Sequence, residues 1–440
     1  MKCSIKNTVK CFSAAMIGLS AFLTAAFIPT VSAQETSVFN WKREDISQVR
    51  LNERNTAPTI NVEELEEMTA QYHVWDTWPL QDTNGNPAVV NGYKIIFALT
   101  VPSDVIPGKR HDTSQIRYFY SKDGKSWELG GLLFNDGQAL GSRQWAGSAL
   151  LAKDGKVHIF YTATGRKNEN QLTYEQRLAT TTADIHTTTS TVTFANWSDH
   201  KIILEPDGEY YQTQDQASRG ESSYAFRDPY FFQDPKTGEE YLLFETNSTR
   251  ALAERYCQSE HLGSNTLEAS KSYNGSIGIA KAVNDNLTEF KVLPPILEAN
   301  CVNDELERPS IIVKGNSYYL FTKTHHEKFA PGLDAPEGLY GFTSGSLFTG
   351  YKPLNGSGLV IANPENNPYQ AYSWMVMPNG TVISFVNYVD VDGKNIDEIG
   401  QQTPDYEIEH FGGMLAPSLK LSITGDQTKI VHEKKQGVFK

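Results

Sequence analysis

Five times along the chain, a tight-turn signal separates two strand-like segments. The turn pairs are Asn91-Gly92, Asp154-Gly155, Thr237-Gly238, Gly315-Asn316 and Asn379-Gly380. Such pairs supply the positive φ that a short hairpin requires. The segments after the turns are strongly apolar and rich in β-branched and aromatic residues, which favours strands: 93–101, 156–164, 239–247, 316–324 and 381–389.

The segments before the turns carry polar and aromatic residues: 74–80, 143–151, 225–232, 305–313 and 371–378. The hairpin unit therefore repeats five times, with long excursions in between, which predicts an all-β, five-bladed β-propeller. In a propeller the first strand of each blade lines the central axis, so these segments should surround one funnel. A generic β-sandwich is the alternative for the same strands.

The first 33 residues have the pattern of a secretory signal peptide. Three lysines precede an apolar run over 12–28, and Val31-Ser32-Ala33 forms a small-residue cleavage site. A retained membrane helix is the alternative, but serine and threonine interrupt the run. We therefore expect a secreted protein, extracellular or periplasmic, without membrane attachment.

The mature chain should form one catalytic domain over residues 34–440, because no low-complexity or proline-rich linker divides residues 60–430. Residues 34–70 are expected to form a short helical cap. At the end of this cap, segment 61–72 has Asn61 at a favourable N-cap position and glutamates in the following turn, which predicts a helix.

Composition argues against several classes of function. Without its first 33 residues the chain has 36 basic and 52 acidic residues, a net charge of −16. Nucleic-acid binding requires clustered lysine and arginine, so we expect none. No phosphate loop, nucleophile elbow or dinucleotide fingerprint occurs, and we expect no cofactor. The pair His325-His326 has no third ligand at metal spacing, so no zinc site is expected.

Cys257 and Cys301 are the cysteines that remain after removal of the signal. An even number of cysteines in an oxidising compartment predicts a disulfide. Such a bond would contribute about 4 kcal/mol for a loop of roughly 44 residues in the chain-entropy model. Two free buried thiols are the alternative, and neither interpretation makes these cysteines catalytic.

Three acids, Asp76, Asp228 and Glu307, lie in the first segments of three different units. If those strands converge, the three side chains face one another across the funnel. Each acid alone has an ordinary explanation as a turn residue, a strand-edge residue or a surface ion pair. Their equivalent positions in separate units favour a shared site.

The motif around Glu307 indicates a general acid. In a strand, Glu305 and Glu307 point to the same face, whereas Arg308 points to the other face, where it would anchor the strand. Two neighbouring carboxylates resist ionising together, so one retains its proton at higher pH. A protonated glutamate and an ionised aspartate, here Asp76, are the pair that glycoside cleavage requires.

Aromatic residues concentrate in the same segments, as expected where sugar rings stack: Trp75, Trp78, Trp145, Tyr372 and Trp374. Ordinary core packing is the alternative explanation. In the sequence, Asp76 lies between Trp75 and Trp78.

Three motifs together resemble the levansucrase–inulosucrase family of fructosyltransferases, glycoside hydrolase family 68: VWDTWPL (74–80), FRDPYF (226–231) and DELERP (304–309). The resemblance extends from about residue 40 to about residue 420. It implies a five-bladed propeller with a funnel-shaped site and a retaining double displacement on sucrose. The expected partners are sucrose and fructan or oligosaccharide acceptors, and we expect a monomer.

The resemblance also implies roles for individual residues. Asp76 would be the nucleophile, Glu307 the acid/base, and Asp228 the residue that holds fructose hydroxyls and stabilises the oxocarbenium-like transition state. The residues expected to contact the sugars or support these acids are Trp75 and Trp145 at the fructosyl subsite, Arg227 and Glu305 around both rings, Tyr372 near the acid/base, and Glu245 behind them.

The chain departs from the family pattern at several positions. Ala146 stands where many members carry a serine that helps fix the nucleophile. His325, which should lie on the glucose or acceptor side, stands where some members have arginine and others histidine. Members from Gram-positive bacteria bind calcium through an aspartate that is replaced here by Ser222, although Asp304 is kept. We therefore expect no calcium, with the Cys257–Cys301 bond holding this region.

The resemblance favours a levansucrase that transfers fructose to fructan, sucrose or water. An inulosucrase or a mainly hydrolytic β-fructofuranosidase is the near alternative. In a different class, a non-catalytic fructan-binding lectin would keep the aromatic funnel but would have no use for the three acids.

Overall fold

The repeated hairpin unit folds into five blades of mostly antiparallel strands, the first two of which join into one ten-stranded sheet, and this confirms the predicted five-bladed propeller. The computed structural model describes residues 38–135, 137–217, 224–249, 257 and 264–439. The expected signal peptide, residues 1–33, lies outside this range. Within the described residues, no helix has the length and apolar character needed to cross a membrane.

The strands are distributed over the blades in chain order. A short β1 (Phe39–Asn40) precedes blade 1, which comprises β2 (Tyr72–Gln81), β3 (Val89–Val90), β4 (Tyr93–Pro102), β5 (Gln115–Ser121) and β6 (Glu128–Leu132). Blade 2 comprises β7 (Arg143–Leu151), β8 (Val157–Thr164), β9 (Gln176–Thr187), β10 (Val192–Ala195) and β11 (Lys201–Leu204), and blade 3 comprises β12 (Phe226–Gln233), β13 (Glu240–Asn247), β14 (Gly275–Ala282) and β15 (Phe290–Glu298). Blade 4 comprises β16 (Glu307–Lys314), β17 (Ser317–Thr324), β18 (Gly338–Ser344), β19 (Lys352–Pro353) and β20 (Leu359–Ala362), and blade 5 comprises β21 (Ala371–Val376), β22 (Thr381–Tyr388), β23 (Phe411–Leu415), β24 (Pro417–Thr424) and β25 (Gln427–Gln436).

The helices of the described residues are short and lie between strands. They are α1 (Arg43–Ile46), α2 (Gln214–Ala217), α3 (Ser264–Ser270), α4 (Ile396–Ile399) and α5 (Pro404–His410), with 3-10 turns at Val62–Glu64, Pro107–Asp112, His326–Lys328 and Leu354–Gly356.

The helix predicted over 61–72 is wrong beyond its first turn. Asn61 does cap a 3-10 turn by accepting from the backbone of Glu63 at 3.3 Å, but Leu65 is already extended. The reason is tertiary: the backbone N–H and carbonyl of Glu66 both bond to the side chain of Gln436, at 2.8 and 2.9 Å. These contacts replace the bonds that a continuing helix would need.

The innermost hairpins form at the predicted turns. Each of the five turn glycines has a positive φ: Gly92, Gly155, Gly238, Gly315 and Gly380. The first segments become the innermost strands β2, β7, β12, β16 and β21. The inner strands of blades 1 and 2 also pair in parallel, Leu80 with Ala149, which brings neighbouring first strands together at the axis.

Every innermost strand contains a β-bulge at an equivalent level. The register shifts fall between Trp75 and Trp78, Trp145 and Gly147, Arg227 and Tyr230, Glu307 and Ser310, and Tyr372 and Met375. A bulge bends its strand and changes the direction of the side chains. We call the residues at these bulges the bulge ring: Asp76, Ala146, Asp228, Arg308 and Ser373. We call the residues just before them the upper ring: Trp75, Trp145, Arg227, Glu307 and Tyr372.

The N-terminal segment joins neighbouring blades and is mostly not helical. Strand β1 pairs in parallel with β15 at the edge of blade 3. Trp41 is fully buried against blade 4, where it packs on Phe329, Tyr340 and Phe342 and donates to the carbonyl of Ser357 at 3.2 Å. Cys257 and Cys301 are joined in a disulfide, with Cα atoms 5.6 Å apart.

Candidate active site

Arg308 lies among the acids of three inner strands. Its backbone N–H donates to Asp228 Oδ2 at 3.2 Å, its Nη1 is 3.7 Å from Asp76 Oδ1, and it directly follows Glu307. The structure therefore brings together three acids that are far apart in the sequence. All belong to the upper ring or the bulge ring.

The expectation that Arg308 points away from these acids is wrong. Its φ of 45° places it in the left-handed region, and the bulge breaks the simple alternation of side chains along β16. The guanidinium instead donates to Ser373 Oγ and, at 3.1 Å, to the carbonyl of Thr77. Arg308 thus ties the inner strands of blades 1, 4 and 5 together below the site.

Glu307 is surrounded so that its protonated form persists to neutral pH. Burial, and then the neighbouring Glu305, raise the pKa of Glu307 to about 7, while His325 and Arg227 act in the opposite direction. The hydroxyl of Tyr372 donates to Glu307 Oε2, and His325 Nε2 lies 3.6 Å from the same oxygen. A carboxyl group that titrates near neutrality is suited to general acid/base chemistry.

His325 is held as a cation by an acid that the sequence analysis missed. Glu337, which is buried in the site, accepts from His325 Nδ1. Burial lowers the pKa of His325, but the ion pair with Glu337 outweighs burial and raises it to about 10. The imidazole stacks on Tyr372 with ring centroids 4.0 Å apart, which fixes its Nε2 toward Glu307. No sequence motif surrounds Glu337.

Arg227 joins three glutamates. Its Nη2 is 2.7 Å from Glu245 Oε1, 2.9 Å from Glu305 Oε2 and 3.6 Å from Glu307 Oε1. Complete burial raises the pKa of Glu245 well above its ordinary value despite Arg227. Glu245 lies on β13 directly opposite Arg227 on β12, which explains how it supports the guanidinium.

The paired glutamates of DELERP differ in protonation. Burial raises the pKa of Glu305, but Lys328 and Arg227 outweigh it and lower this pKa to about 2. Lys328, which the sequence analysis missed, lies 3.4 Å from Glu305. Glu305 is therefore ionised under conditions in which Glu307 retains its proton.

Asp228 is buried and bonded to both neighbouring blades. Burial raises its pKa, although Arg227 and Arg308 oppose the shift. Its backbone N–H donates to Thr162 Oγ1 at 2.9 Å, and that hydroxyl donates to the carbonyl of Ala146 at 3.0 Å. Ala146 thus contributes its backbone to the site and adds a buried methyl group to the bulge ring.

The aromatic residues divide between the site and the core. Trp75 donates to His111 Nε2 at 3.0 Å, and Trp145 donates to the carbonyl of His111 at 2.9 Å. His111, at the end of the loop between β4 and β5, was missed because a lone loop histidine has no spacing pattern. Trp75, Trp78 and Trp374 are all almost completely buried, so core packing explains most of the surface of each, whereas Trp145 is only half-buried.

Three side chains offer metal-ligating atoms that all lie within 4.8 Å of one another: Glu305, Glu307 and His325. The interpretation that the pair His325-His326 has no third ligand at metal spacing missed this group, because Glu305 and Glu307 come from a different part of the chain. Arg227 and the cationic His325 already supply positive charge there. Of the calcium-related positions, Ser222 lies outside the described residues, whereas Asp304 is buried near Lys328.

The chain is similar in sequence to known proteins over most of its length. A family model described as Levansucrase/Invertase matches residues 30–440. A levansucrase from Zymomonas mobilis is 36% identical over 408 residues, covering 90% of this chain and 91% of the relative. An extracellular sucrase from the same organism is 36% identical over 363 residues, covering 81% and 84%.

Among solved structures, an inulosucrase from Halalkalicoccus jeotgali bound to kestose superimposes with a TM-score of 0.85. It is 42% identical in sequence, and the alignment covers 91% of this chain and 97% of that structure.

Proposed function

The chain belongs to glycoside hydrolase family 68, the levansucrases and invertases, and on this premise we propose that it is a secreted levansucrase in which Asp76, Asp228 and Glu307 carry the reaction. It is a sucrose-acting fructosyltransferase, which releases glucose and transfers the fructosyl group to an acceptor. The acceptors we propose are fructan, sucrose and water.

In the first step, Asp76 attacks the anomeric carbon of the fructosyl unit. The bond from this carbon to the bridging oxygen breaks, and the oxygen keeps the electron pair while it takes the proton of Glu307. Glucose leaves, and the fructosyl group remains as an ester on Asp76. The pKa of Glu307 near 7 supports this role, because the acid must be protonated at the start.

In the second step, the Glu307 carboxylate takes a proton from an acceptor hydroxyl. The acceptor oxygen attacks the same carbon and displaces Asp76, so that two inversions give net retention. Asp228 would hold fructose hydroxyls and stabilise positive charge on the ring in both steps. Its position is fixed by bonds from Arg308 and to Thr162.

The observation that carries this proposal is the different protonation of Glu305 and Glu307, two residues apart. A fructan-binding lectin has no use for a carboxyl group tuned to neutral pH beside a second acid. The test is incubation with sucrose and measurement of free glucose and free fructose. Glucose in excess of fructose indicates transfer, equal amounts indicate hydrolysis, and no release would contradict an enzyme of this family.

The residue roles are tested by Asp76→Ala, Asp228→Ala and Glu307→Ala. Each should lose several orders of magnitude in turnover while retaining the melting temperature of the wild type. Asp199→Ala, at an exposed acid between β10 and β11 of blade 2, is the matched control and should retain activity. Near-normal turnover in any of the first three variants would contradict the role assigned to that acid.

The linkage of the product has one competing possibility. The inulosucrase from H. jeotgali is more similar in sequence, at 42%, than the Z. mobilis levansucrase, at 36%. NMR of the polymer formed from sucrose separates the β-2,6 linkage of levan from the β-2,1 linkage of inulin. Only the second linkage would make this chain an inulosucrase.

Secretion is supported by the signal-peptide pattern and by the related extracellular sucrase. Expression of the full chain in a secreting host should yield a protein in the medium whose first residue is Gln34. Retention of residues 1–33 on a membrane-bound product would contradict this proposal.

A further inference from the structure

An exposed aromatic residue that the reaction does not use lies beside the site. Tyr174, in the loop between β8 and β9, is 45% exposed, and Leu172 in the same loop is 50% exposed. The ring of Tyr174 lies next to Trp145 of the upper ring, with centroids 6.3 Å apart and planes inclined by 42°. An exposed apolar patch at the rim of a site often marks a binding surface.

Tyr174 is held rigidly although it is exposed. Its hydroxyl donates to Asp112 Oδ1 at 2.7 Å. The guanidinium carbon of Arg143 lies 4.9 Å from the Tyr174 centroid and 5.8 Å from the Trp145 centroid. Arg143 is buried and fastens the loop by donating to the carbonyl of Thr173 at 2.7 Å. One arginine therefore supports both rings.

Tyr174 is the outer member of a continuous row of rings. Trp75 and His111 have centroids 5.6 Å apart, and His111 and Trp145 have centroids 5.7 Å apart. Trp75, at the inner end of the row, is fully buried, whereas Tyr174, at the outer end, is 45% exposed. The row thus leads from the neighbour of Asp76 to the solvent.

A rigid exposed aromatic ring is a prepared surface for a flat, uncharged ligand. Ordering a side chain costs conformational entropy, and this cost is already met before the ligand arrives. In a fructosyltransferase, each transfer lengthens the acceptor by one sugar. The longer product must extend outward, because the inner end of the row is closed by buried Trp75.

We propose that Tyr174, supported by Arg143 and Asp112, binds a sugar unit of the acceptor chain outside the catalytic pocket. We call Tyr174 and Trp145 the aromatic shelf. The inference rests on the proposed fructosyltransferase function. The ligand is a fructose-containing oligosaccharide, and the shelf raises the residence time of chains that are long enough to reach it.

The experiment compares Tyr174→Ala, Tyr174→Phe and Phe348→Ala with the wild type. Phe348 is a suitable control because it is also an exposed aromatic residue, at 40% exposure. It follows β18, and the end of β18 pairs with Tyr318, at the end of blade 4 that is far from Glu307. Each protein is incubated with sucrose. Free glucose, free fructose and the length distribution of the products are measured at equal sucrose conversion.

We expect Tyr174→Ala to lower the ratio of chain elongation to hydrolysis by about three- to tenfold, the factor associated with loss of one aromatic stacking contact. Tyr174→Phe keeps the stacking face and should retain most of the elongation. Phe348→Ala should resemble the wild type.

Two outcomes would overturn the inference while leaving the enzyme assignment intact. In the first, Tyr174→Ala gives the same product lengths as the wild type. In the second, glucose release and elongation fall by the same factor, which would mean that Tyr174 only supports the catalytic pocket. Failure of the wild type itself to release glucose would instead contradict the proposed function.

Discussion

Replacement of Glu337 by glutamine should extend activity to higher pH. The first chemical step needs protonated Glu307, whose pKa is about 7, so the wild-type rate should fall as the pH rises through about 7. Glu337 raises the pKa of His325 to about 10 and so keeps it cationic across this range. That cation lowers the pKa of Glu307. Without the charge of Glu337, His325 loses its proton more readily, and the pKa of Glu307 rises.

The size of the shift follows from the distance between the groups. His325 Nε2 and Glu307 Oε2 are 3.6 Å apart. Two unit charges about 4 Å apart interact by about 4 kcal/mol at an effective dielectric constant of about 20, which corresponds to about 3 pH units. The imidazolium charge is spread over two nitrogens and the site opens to water, so we expect an upward displacement of about one pH unit.

The assay is the initial rate of glucose release at low sucrose concentration as a function of pH, since kcat/KM reports the pKa values of the free enzyme. Glu327→Gln is the matched control: Glu327 also lies near His325 but is exposed, so solvent screens its charge and the profile should hardly move. Glu305→Gln removes a negative charge near Glu307 and should move the alkaline limb, the fall in rate at high pH, to lower pH.

The electrostatic argument would be refuted if the alkaline limb of Glu337→Gln stayed at the wild-type pH or moved to lower pH. The melting temperature must be measured alongside, because Glu337 is buried. A loss of activity at all pH values with an unchanged alkaline limb would show that Glu337 positions His325 sterically and does not tune Glu307.

Two further predictions concern support of the site. Lys323 is buried opposite Glu307 in the pairing of β16 with β17 and donates to the carbonyl of Arg308 at 2.7 Å. Lys323→Met should therefore lower kcat at least about tenfold, because small misplacements of catalytic groups strongly reduce the rate. An unchanged kcat in steady-state kinetics would contradict this prediction. A non-reduced digest should contain the Cys257 and Cys301 peptides linked, and replacing both cysteines by serine should lower the free energy of unfolding by about 2–4 kcal/mol in denaturant titrations. Free thiols or unchanged stability would refute the disulfide.

The sequence predicted the hairpins well because their signals are local. A glycine beside a polar residue, followed by an apolar run, specifies a tight turn and a strand within about ten residues. The inner strands and their convergence then follow from the propeller architecture. The placement of Asp76, Asp228 and Glu307 near one another depends on these local signals repeated five times.

Features that depend on tertiary contacts were not predictable. The direction of the Arg308 side chain follows from a bulge, and nothing in the sequence Glu307-Arg308-Pro309 distinguishes a bulged strand from a regular one. His111, Lys328 and Glu337 enter the site from three separate loops or strand beginnings, at no characteristic spacing. The predicted helix at 61–72 failed for a similar reason, since the bonds from Glu66 to Gln436 lie outside any sequence window.

The bulge ring explains why strain and function coincide in this fold. Asp76, Asp228, Arg308 and Ser373 all have φ between 45° and 60°, a region that costs a residue with a side chain about 1–2 kcal/mol. Glycine would remove this cost at each position, but it would also remove the side chain that the site uses.

The surrounding structure stabilises the strained backbone directly. Arg308 is bonded at its N–H by Asp228 and at its carbonyl by Lys323, so both polar groups of one bulge residue are held by neighbours in the site. Strain that is supported in this way persists in the folded state and fixes the direction of the preceding residue. For β16 that residue is Glu307. The orientation of the proposed acid/base is therefore a property of the backbone bulge as much as of its own side-chain contacts.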